Sequence, residues 1–126
     1  MDGLSNEGSA RPFPRCILLV EDNGLLAMNI QEMLIELGAE EILVGSSVAQ
    51  SMPFVDRGGI DFAILDFDLG QETSAPIANR LRLESVPFIF ASGYGDGFAL
   101  PPELVGSRIL TKPYMLADIQ AAIAAH

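Results

Sequence analysis

Five side chains in this sequence have the types needed for phosphoryl chemistry, and each follows an apolar run: Glu21, Asp22, Asp66, Ser92 and Lys112. Grouped carboxylates repel one another unless a cation offsets their charge. Mg²⁺ is bound by one or two carboxylates while it keeps several waters. A metal ion, a carboxylate, a hydroxyl and an ammonium around one point form a site suited to phosphoryl groups.

Each of these residues also has an ordinary structural explanation. Glu21 and Asp22 could be charges at the amino end of a helix, where they favour the helix dipole. Asp66 could be a turn residue, Ser92 part of a loop and Lys112 a solvated charge. The functional interpretation depends on their order, since they follow four different apolar runs of the chain.

The apolar runs themselves are typical of buried strands. Five such runs predict strands at residues 16–20, 41–45, 60–66, 86–91 and 108–111. Helical patterns lie between them, one over residues 26–37 closed by Gly38, and a last one with an inner stripe of Leu116, Ile119 and Ile123. This alternation predicts an α/β fold with a parallel sheet covered on both faces. Ligands bind at the carboxyl edge of such sheets.

Two helix starts and one loop are predicted from local signals. Because a proline inside a helix breaks it, the second helix is expected to begin at Ser51 with Pro53 in its first turn. Ser74 is expected to cap a helix that runs to about Glu84, with Pro76 in its first turn. The segment 93–106 contains four glycines and two prolines. It predicts a loop, or a single turn around Pro102 to Val105.

Composition limits the class of protein. The chain has 126 residues, of which 49% are hydrophobic, and predicts one domain at residues 15–126 after a disordered tail at 1–14. The formal net charge of -10 argues against direct nucleic-acid binding. It is compatible with basic protein partners and divalent cations, and keeping the domain soluble is the simpler explanation. The single cysteine, Cys16, allows no internal disulfide. With no signal peptide and no apolar stretch of roughly 18 residues, the chain is expected to be cytoplasmic, without membrane contact.

Over residues 15–125, the sequence resembles the receiver domain of two-component response regulators. The matching residues are the pair Glu21-Asp22, the acceptor in Ile64-Leu65-Asp66, the hydroxyl in Phe90-Ala91-Ser92-Gly93, and Lys112-Pro113. The resemblance implies a flavodoxin-like α/β fold. Its five-stranded parallel sheet has the order 2-1-3-4-5, with helices on both faces.

The resemblance also implies a role for each residue of the site. Asp66 would accept a phosphoryl group from a sensor histidine kinase or a histidine phosphotransfer protein. Mg²⁺ would be bound by Glu21, Asp22, Asp66 and the backbone carbonyl of Asp68. Lys112 would pair with the phosphoryl oxygens and Ser92 would hydrogen-bond to them. The Lys112–Pro113 peptide bond would be cis.

The sequence departs from the family pattern at the switch. Ile109 stands where most receivers carry a tyrosine or phenylalanine. The stretch Phe90 to Gly95 resembles the Phe-Ala-Thr-Gly-x-Tyr motif of a divergent, mostly alphaproteobacterial subgroup, which also tends to lack that aromatic. The glycine-rich segment after Ser92 is therefore expected to change order on phosphorylation, with Tyr94 as its reporter or as a core ring. The Asp68 carboxylate could favour metal binding or alter autodephosphorylation.

These observations predict a stand-alone bacterial response regulator that docks on a downstream protein, relays phosphate or drains it from a kinase. It would catalyse only its own phosphorylation and dephosphorylation. One alternative is a pseudo-receiver that binds partners without phosphorylation. Another is a small phosphatase, because Asp66-Phe67-Asp68 matches the Asp-x-Asp of haloacid-dehalogenase-type enzymes, although Gly70 stands where they carry Thr or Val. No phosphate-binding loop of the GTPase type is present.

Overall fold

The computed structural model of the protein describes residues 13–93, 100–104 and 106–125. Five parallel strands form one sheet in the order β2-β1-β3-β4-β5. The elements are β1 (Cys16–Val20), α1 (Gly24–Leu37), β2 (Glu41–Gly45), α2 (Val48–Arg57), β3 (Phe62–Asp66), α3 (Ala75–Leu83), β4 (Phe88–Ser92), a 3₁₀ turn (Pro102–Leu104), β5 (Ile109–Thr111) and α4 (Leu116–Ala124). The predicted α/β fold and strand order are confirmed.

The helices cover both faces of the sheet, which is why its central strands are continuously apolar. All residues of β1 and β3 are buried. Successive side chains of a strand point to opposite faces. In β1, Leu18 packs toward α2 and α3, whereas Leu19 packs toward α1 and α4. The core therefore consists of two layers, one on each side of the sheet.

Helix α1 follows the sequence prediction closely. Its N-cap is Asn23, whose side-chain oxygen accepts a hydrogen bond from the Leu26 backbone N–H at 3.0 Å. Its C-cap is Gly38, which has a φ of 119° and donates its N–H to the carbonyls of Leu34 and Ile35. A left-handed conformation of this kind favours glycine. Gly38 therefore closes the helix as predicted.

The prediction for α2 was wrong. The helix begins at Val48 with Ser47 as its N-cap, whose hydroxyl accepts from the Gln50 N–H at 3.1 Å, and Pro53 lies inside it. A proline removes the hydrogen bond to the carbonyl four residues earlier, here that of Ala49. Both Ala49 and Pro53 are exposed, so water can satisfy that carbonyl. The solvent-facing position explains why the proline does not end the helix.

Helix α3 has the predicted position, with Ser74 at its N-cap, but the Ser74 side chain makes no capping hydrogen bond. It starts at Ala75 after Ser74, and Pro76 lies in the first turn. However, the Ser74 hydroxyl is buried and has no hydrogen-bond partner among the described residues. Ser74 has φ -84° and ψ 7°, which is not the extended conformation that directs an N-cap side chain back to the helix. The Ala75 N–H bonds to the Thr73 hydroxyl instead, at 3.3 Å.

The remaining boundaries differ from the sequence prediction by a few residues. Strand β3 begins at Phe62 rather than Ile60, and β4 covers Phe88–Ser92 rather than residues 86–91. Strand β5 begins one residue later than expected, at Ile109. The single turn predicted near Pro102 is present as the 3₁₀ turn, while Val105 lies outside the described residues.

Most of the predicted N-terminal tail also lies outside the described residues. Phe13, the first residue described, is half-buried and packs against the core layer of α1 and α4. Among the described helices, none combines the length and apolar character that a membrane span requires.

We expect Gly45→Ala to destabilise the protein by about 1–3 kcal/mol through overpacking. Gly45 is buried at the end of β2, and an added Cβ would collide with the hydroxyl of Ser51, which is itself fully buried. Urea unfolding measures the loss. The matched control is Gly24→Ala, because no atom lies within 4 Å of a Cβ added there. Equal stabilities of the two variants would contradict the tight packing of α2 on β2.

Candidate functional site

The carboxyl edge of the sheet brings the predicted residues together. Asp66 ends β3 and Ser92 ends β4, while Glu21 and Asp22 directly follow β1. Strand β1 pairs with β3, and β3 pairs with β4. Lys112 directly follows β5, and its backbone N–H donates to the Ser92 carbonyl at 2.7 Å. Residues that are far apart in sequence thus share one edge.

Three carboxylates form the centre of this edge. Glu21, Asp22 and Asp66 each offer an oxygen, and these oxygens lie within 4.8 Å of one another. Glu21 and Asp66 are buried, at 3% and 5% exposure, whereas Asp22 is exposed. The cluster could hold a metal ion. Oxygen donors of this kind suit a hard cation such as Mg²⁺ or Ca²⁺, and the exposed side leaves room for its waters.

Lys112 provides the positive charge beside the carboxylates. Its ammonium lies 3.0 Å from Glu21 Oε1 and 3.1 Å from Asp66 Oδ2. The second oxygen of Glu21 accepts a hydrogen bond from the Asn23 backbone N–H at 3.1 Å. The Lys112–Pro113 peptide bond is cis. We call Glu21, Asp22, Asp66 and Lys112 the acidic site.

The environment perturbs the protonation of Asp66. Burial, followed by the negative charge of Glu21, raises the pKa of Asp66 from 3.8 to about 7, although Lys112 acts in the opposite direction. Burial alone would lower the pKa of Lys112, but hydrogen bonds to Glu21 and Asp66 outweigh it and the pKa is raised. Lys112 is therefore charged at neutral pH. A bound cation would favour the ionised form of Asp66.

Asp68 uses its carboxylate for the adjacent turn. It is exposed, and its Oδ1 accepts a hydrogen bond from the Gly70 N–H at 2.9 Å. Among the described residues, the three-carboxylate cluster does not include this side chain. The backbone carbonyl of Asp68 as a metal ligand stays a prediction from the sequence.

The switch residues are located only in part. Ile109 is half-buried in β5 opposite Phe90, and it packs against the core layer of α2 and α3. Ser92 is buried, at 6% exposure. Tyr94 lies outside the described residues. The roles expected for Ser92, Tyr94 and Ile109 in switching therefore stay predictions.

Tyr114, two residues after Lys112, was not predicted from the sequence as part of the site. Its side chain is buried at 7% exposure, and its hydroxyl has no hydrogen-bond partner within the described part of the chain. Burial, then the negative charges of Glu21 and Asp66, raises the pKa of Tyr114. A buried hydroxyl without a partner costs about 1–3 kcal/mol. The signal in the sequence that could have identified Tyr114 is a tyrosine two residues after a lysine that follows a predicted strand.

A cavity of about 850 Å³ lies at the opposite edge of the sheet. Its lining includes Arg82 of α3, together with Phe88 and Arg108 at the starts of β4 and β5. Parallel strands have their amino ends at this edge and their carboxyl ends at the other. The cavity is therefore separate from the acidic site.

Comparisons with known proteins place the site in context. No protein-family model matches the chain, and no curated protein is significantly similar to it. Among solved structures, SdrG from Sphingomonas melonis Fr1 is 33% identical, with 91% of this chain and 98% of that chain covered and a TM-score of 0.78. The BeF3-activated conformation of SdrG from Pseudomonas melonis Fr1 is 35% identical, with 87% and 96% covered and a TM-score of 0.72.

A third comparison supports the fold alone. A CheY-like response regulator receiver domain from Methylobacillus flagellatus is 22% identical to this chain. The match covers 86% of this chain and 98% of that domain, with a TM-score of 0.72.

Proposed function

Because this chain belongs to the receiver-domain family of response regulators, we propose that it accepts a phosphoryl group on Asp66 from a sensor histidine kinase or a histidine phosphotransfer protein. The observation that carries the proposal is the acidic site itself. Two buried carboxylates share one lysine, at 3.0 and 3.1 Å, and a third carboxylate lies beside them. No other charged cluster of the described residues combines these groups.

In the proposed step, a carboxylate oxygen of Asp66 attacks the phosphorus of a phosphohistidine. The new O–P bond makes an acyl phosphate as the N–P bond breaks, and the imidazole leaves and takes up a proton. Lys112 would pair with the phosphoryl oxygens. Glu21, Asp22, Asp66 and the backbone carbonyl of Asp68 would hold Mg²⁺. When bound, Mg²⁺ supplies positive charge that reduces the repulsion between these carboxylates and the phosphoryl group.

The phosphoryl group would then change the conformation of the carboxyl edge. Ser92 would hydrogen-bond to the phosphoryl group. The segment after Ser92, which includes Tyr94, would reorder. Ile109 would take the place of the aromatic residue that most receivers carry. The new surface would bind a downstream protein. A BeF3-activated conformation of a 35% identical protein supports this kind of switching. The protein would work in the bacterial cytoplasm as a regulator, and its chemistry would be limited to its own Asp66.

Intact mass spectrometry after incubation with acetyl phosphate tests this proposal. We expect the wild type to gain one phosphoryl group with Mg²⁺ and none with EDTA, and Asp66→Asn to gain none. The matched control is Asp56→Asn, which removes a carboxylate paired with Arg80 on the surface of α2. This control is expected to be phosphorylated like the wild type.

Two other outcomes would change the proposal. A phosphoryl gain that persists in Asp66→Asn would mean that another residue is the acceptor. No gain in the wild type would call for transfer from a phosphorylated kinase. Failure of that transfer as well would favour a phosphorylation-independent binding module. Release of many equivalents of phosphate from a simple phosphomonoester would instead indicate a phosphatase.

A further inference from the structure

The acidic site and one core layer lie on the same face of the sheet. In β1 and β3, Leu19 and Ile64 pack toward α1 and α4. Because side chains alternate along a strand, residues two positions further point to the same face. These residues are Glu21 and Asp66. The backbone N–H of Glu21 donates to the Gly45 carbonyl at 3.0 Å, which extends the hydrogen-bond ladder between β1 and β2.

Tyr114 belongs to this same core layer. A phenylalanine would fill the same space, so packing explains the ring but not the hydroxyl. That hydroxyl is buried and has no partner within the described residues. Tyr114 lies two residues after Lys112, whose ammonium contacts both Glu21 and Asp66. Burial, then the negative charges of Glu21 and Asp66, raises the pKa of Tyr114. The hydroxyl therefore keeps its proton and is available as a hydrogen-bond donor.

Phosphorylation would increase the number of hydrogen-bond donors that the acidic site needs. Lys112 serves Glu21 and Asp66 together in the present arrangement. A phosphoryl group on Asp66 adds charged oxygens that compete for this single ammonium. Glu21 is only 3% exposed, so water has little access to it. Without Lys112, Glu21 retains a hydrogen bond from the Asn23 backbone N–H, at 3.1 Å.

We propose that Tyr114 is a positioning residue of the acidic site, and that its hydroxyl donates a hydrogen bond to Glu21 when Lys112 turns to the phosphoryl group. This proposal rests on the proposed function. It assigns a purpose to a buried hydroxyl for which the described residues provide no acceptor in the free site. Glu21 would thus stay in place at the metal while the lysine changes partners.

The test compares Tyr114→Phe with the wild type, using BeF3⁻ with saturating Mg²⁺ as the phosphoryl mimic. We expect the variant to bind BeF3⁻ about tenfold more weakly, which corresponds to about 1.4 kcal/mol. We expect the melting temperature of the free protein to stay the same or rise, because the lost hydroxyl has no partner in the described part of the chain. The matched control is Ile119→Val, in the same core layer on α4. It should lower the melting temperature and leave BeF3⁻ affinity unchanged.

Tyrosine fluorescence gives a readout that a packing role would not affect. The chain has two tyrosines and no tryptophan, so Tyr114 is the only such fluorophore in a Tyr94→Phe background. A hydrogen bond to a carboxylate quenches tyrosine emission. We therefore expect BeF3⁻ to quench Tyr114 in that background.

Three results would overturn the proposal. One is BeF3⁻ affinity in Tyr114→Phe within about twofold of wild type. Another is an affinity loss in Ile119→Val as large as that in Tyr114→Phe, which would indicate a packing effect. The third is a wild type that takes up neither BeF3⁻ nor a phosphoryl group. This third result would contradict the proposed function as well, whereas the first two would contradict only the role of Tyr114.

Discussion

Replacing Lys112 with methionine is expected to destabilise the metal-free protein by about 3–5 kcal/mol at about pH 8, as is typical when one partner of a buried ion pair is removed. The side chains of Glu21 and Asp66 are 2% and 7% exposed, and Lys112 lies within 3.1 Å of both. Without the ammonium, two buried carboxylates would face each other with no lysine charge to offset theirs. Methionine keeps much of the side-chain volume, so the loss reports mainly on charge. Urea unfolding in EDTA measures it.

Two controls separate this effect from general damage. Arg15→Met removes the exposed partner of Glu40, where both side chains are more than half exposed, and should cost much less stability than Lys112→Met. The double variant Lys112→Met with Asp66→Asn should recover part of the loss, because only one buried carboxylate then remains. A loss in Lys112→Met no larger than that in Arg15→Met would contradict the stabilising role of Lys112.

Asp66→Asn is expected to stabilise the metal-free protein at about pH 8 by about 2–4 kcal/mol and to have little effect at about pH 4. The pKa of Asp66 rises from 3.8 to about 7 in the folded state. Between these values the folded state binds more protons than the unfolded state, so wild-type stability falls as pH rises through about 7. Asparagine is uncharged, so the variant does not lose this part of its stability as the pH rises.

Urea unfolding of both proteins across this pH range, in EDTA, provides the measurement. The difference in the free energy of unfolding should grow with pH and level off above the folded pKa of Asp66. Asp56→Asn, on the surface of α2, is the matched control. Addition of Mg²⁺ should narrow the gap, because a cation stabilises the ionised wild-type carboxylate. A difference that is the same at every pH would mean that burial does not perturb Asp66.

The sequence by itself determined the parts of the fold that depend on local patterns. Continuous apolar runs identified all five strands, because strands covered on both faces have no polar side to show. Gly38 marked the end of α1, since the left-handed cap conformation favours glycine. The site residues could also be chosen from the sequence, because parallel strands bring their carboxyl ends to one edge. Asp66, Ser92 and Lys112 were found in this way.

Only the tertiary structure decided how those elements and side chains are used. Pro53 is tolerated inside α2 because that side of the helix faces solvent, which no local signal reveals. The pairing of Lys112 with both Glu21 and Asp66 depends on the strands that precede these residues meeting at one edge of a single sheet. The burial of Tyr114 likewise depends on the tertiary structure, so the sequence alone did not identify this residue. Hydrophobic periodicity is set by neighbours along the chain, whereas burial, pairing and protonation are set by neighbours in space.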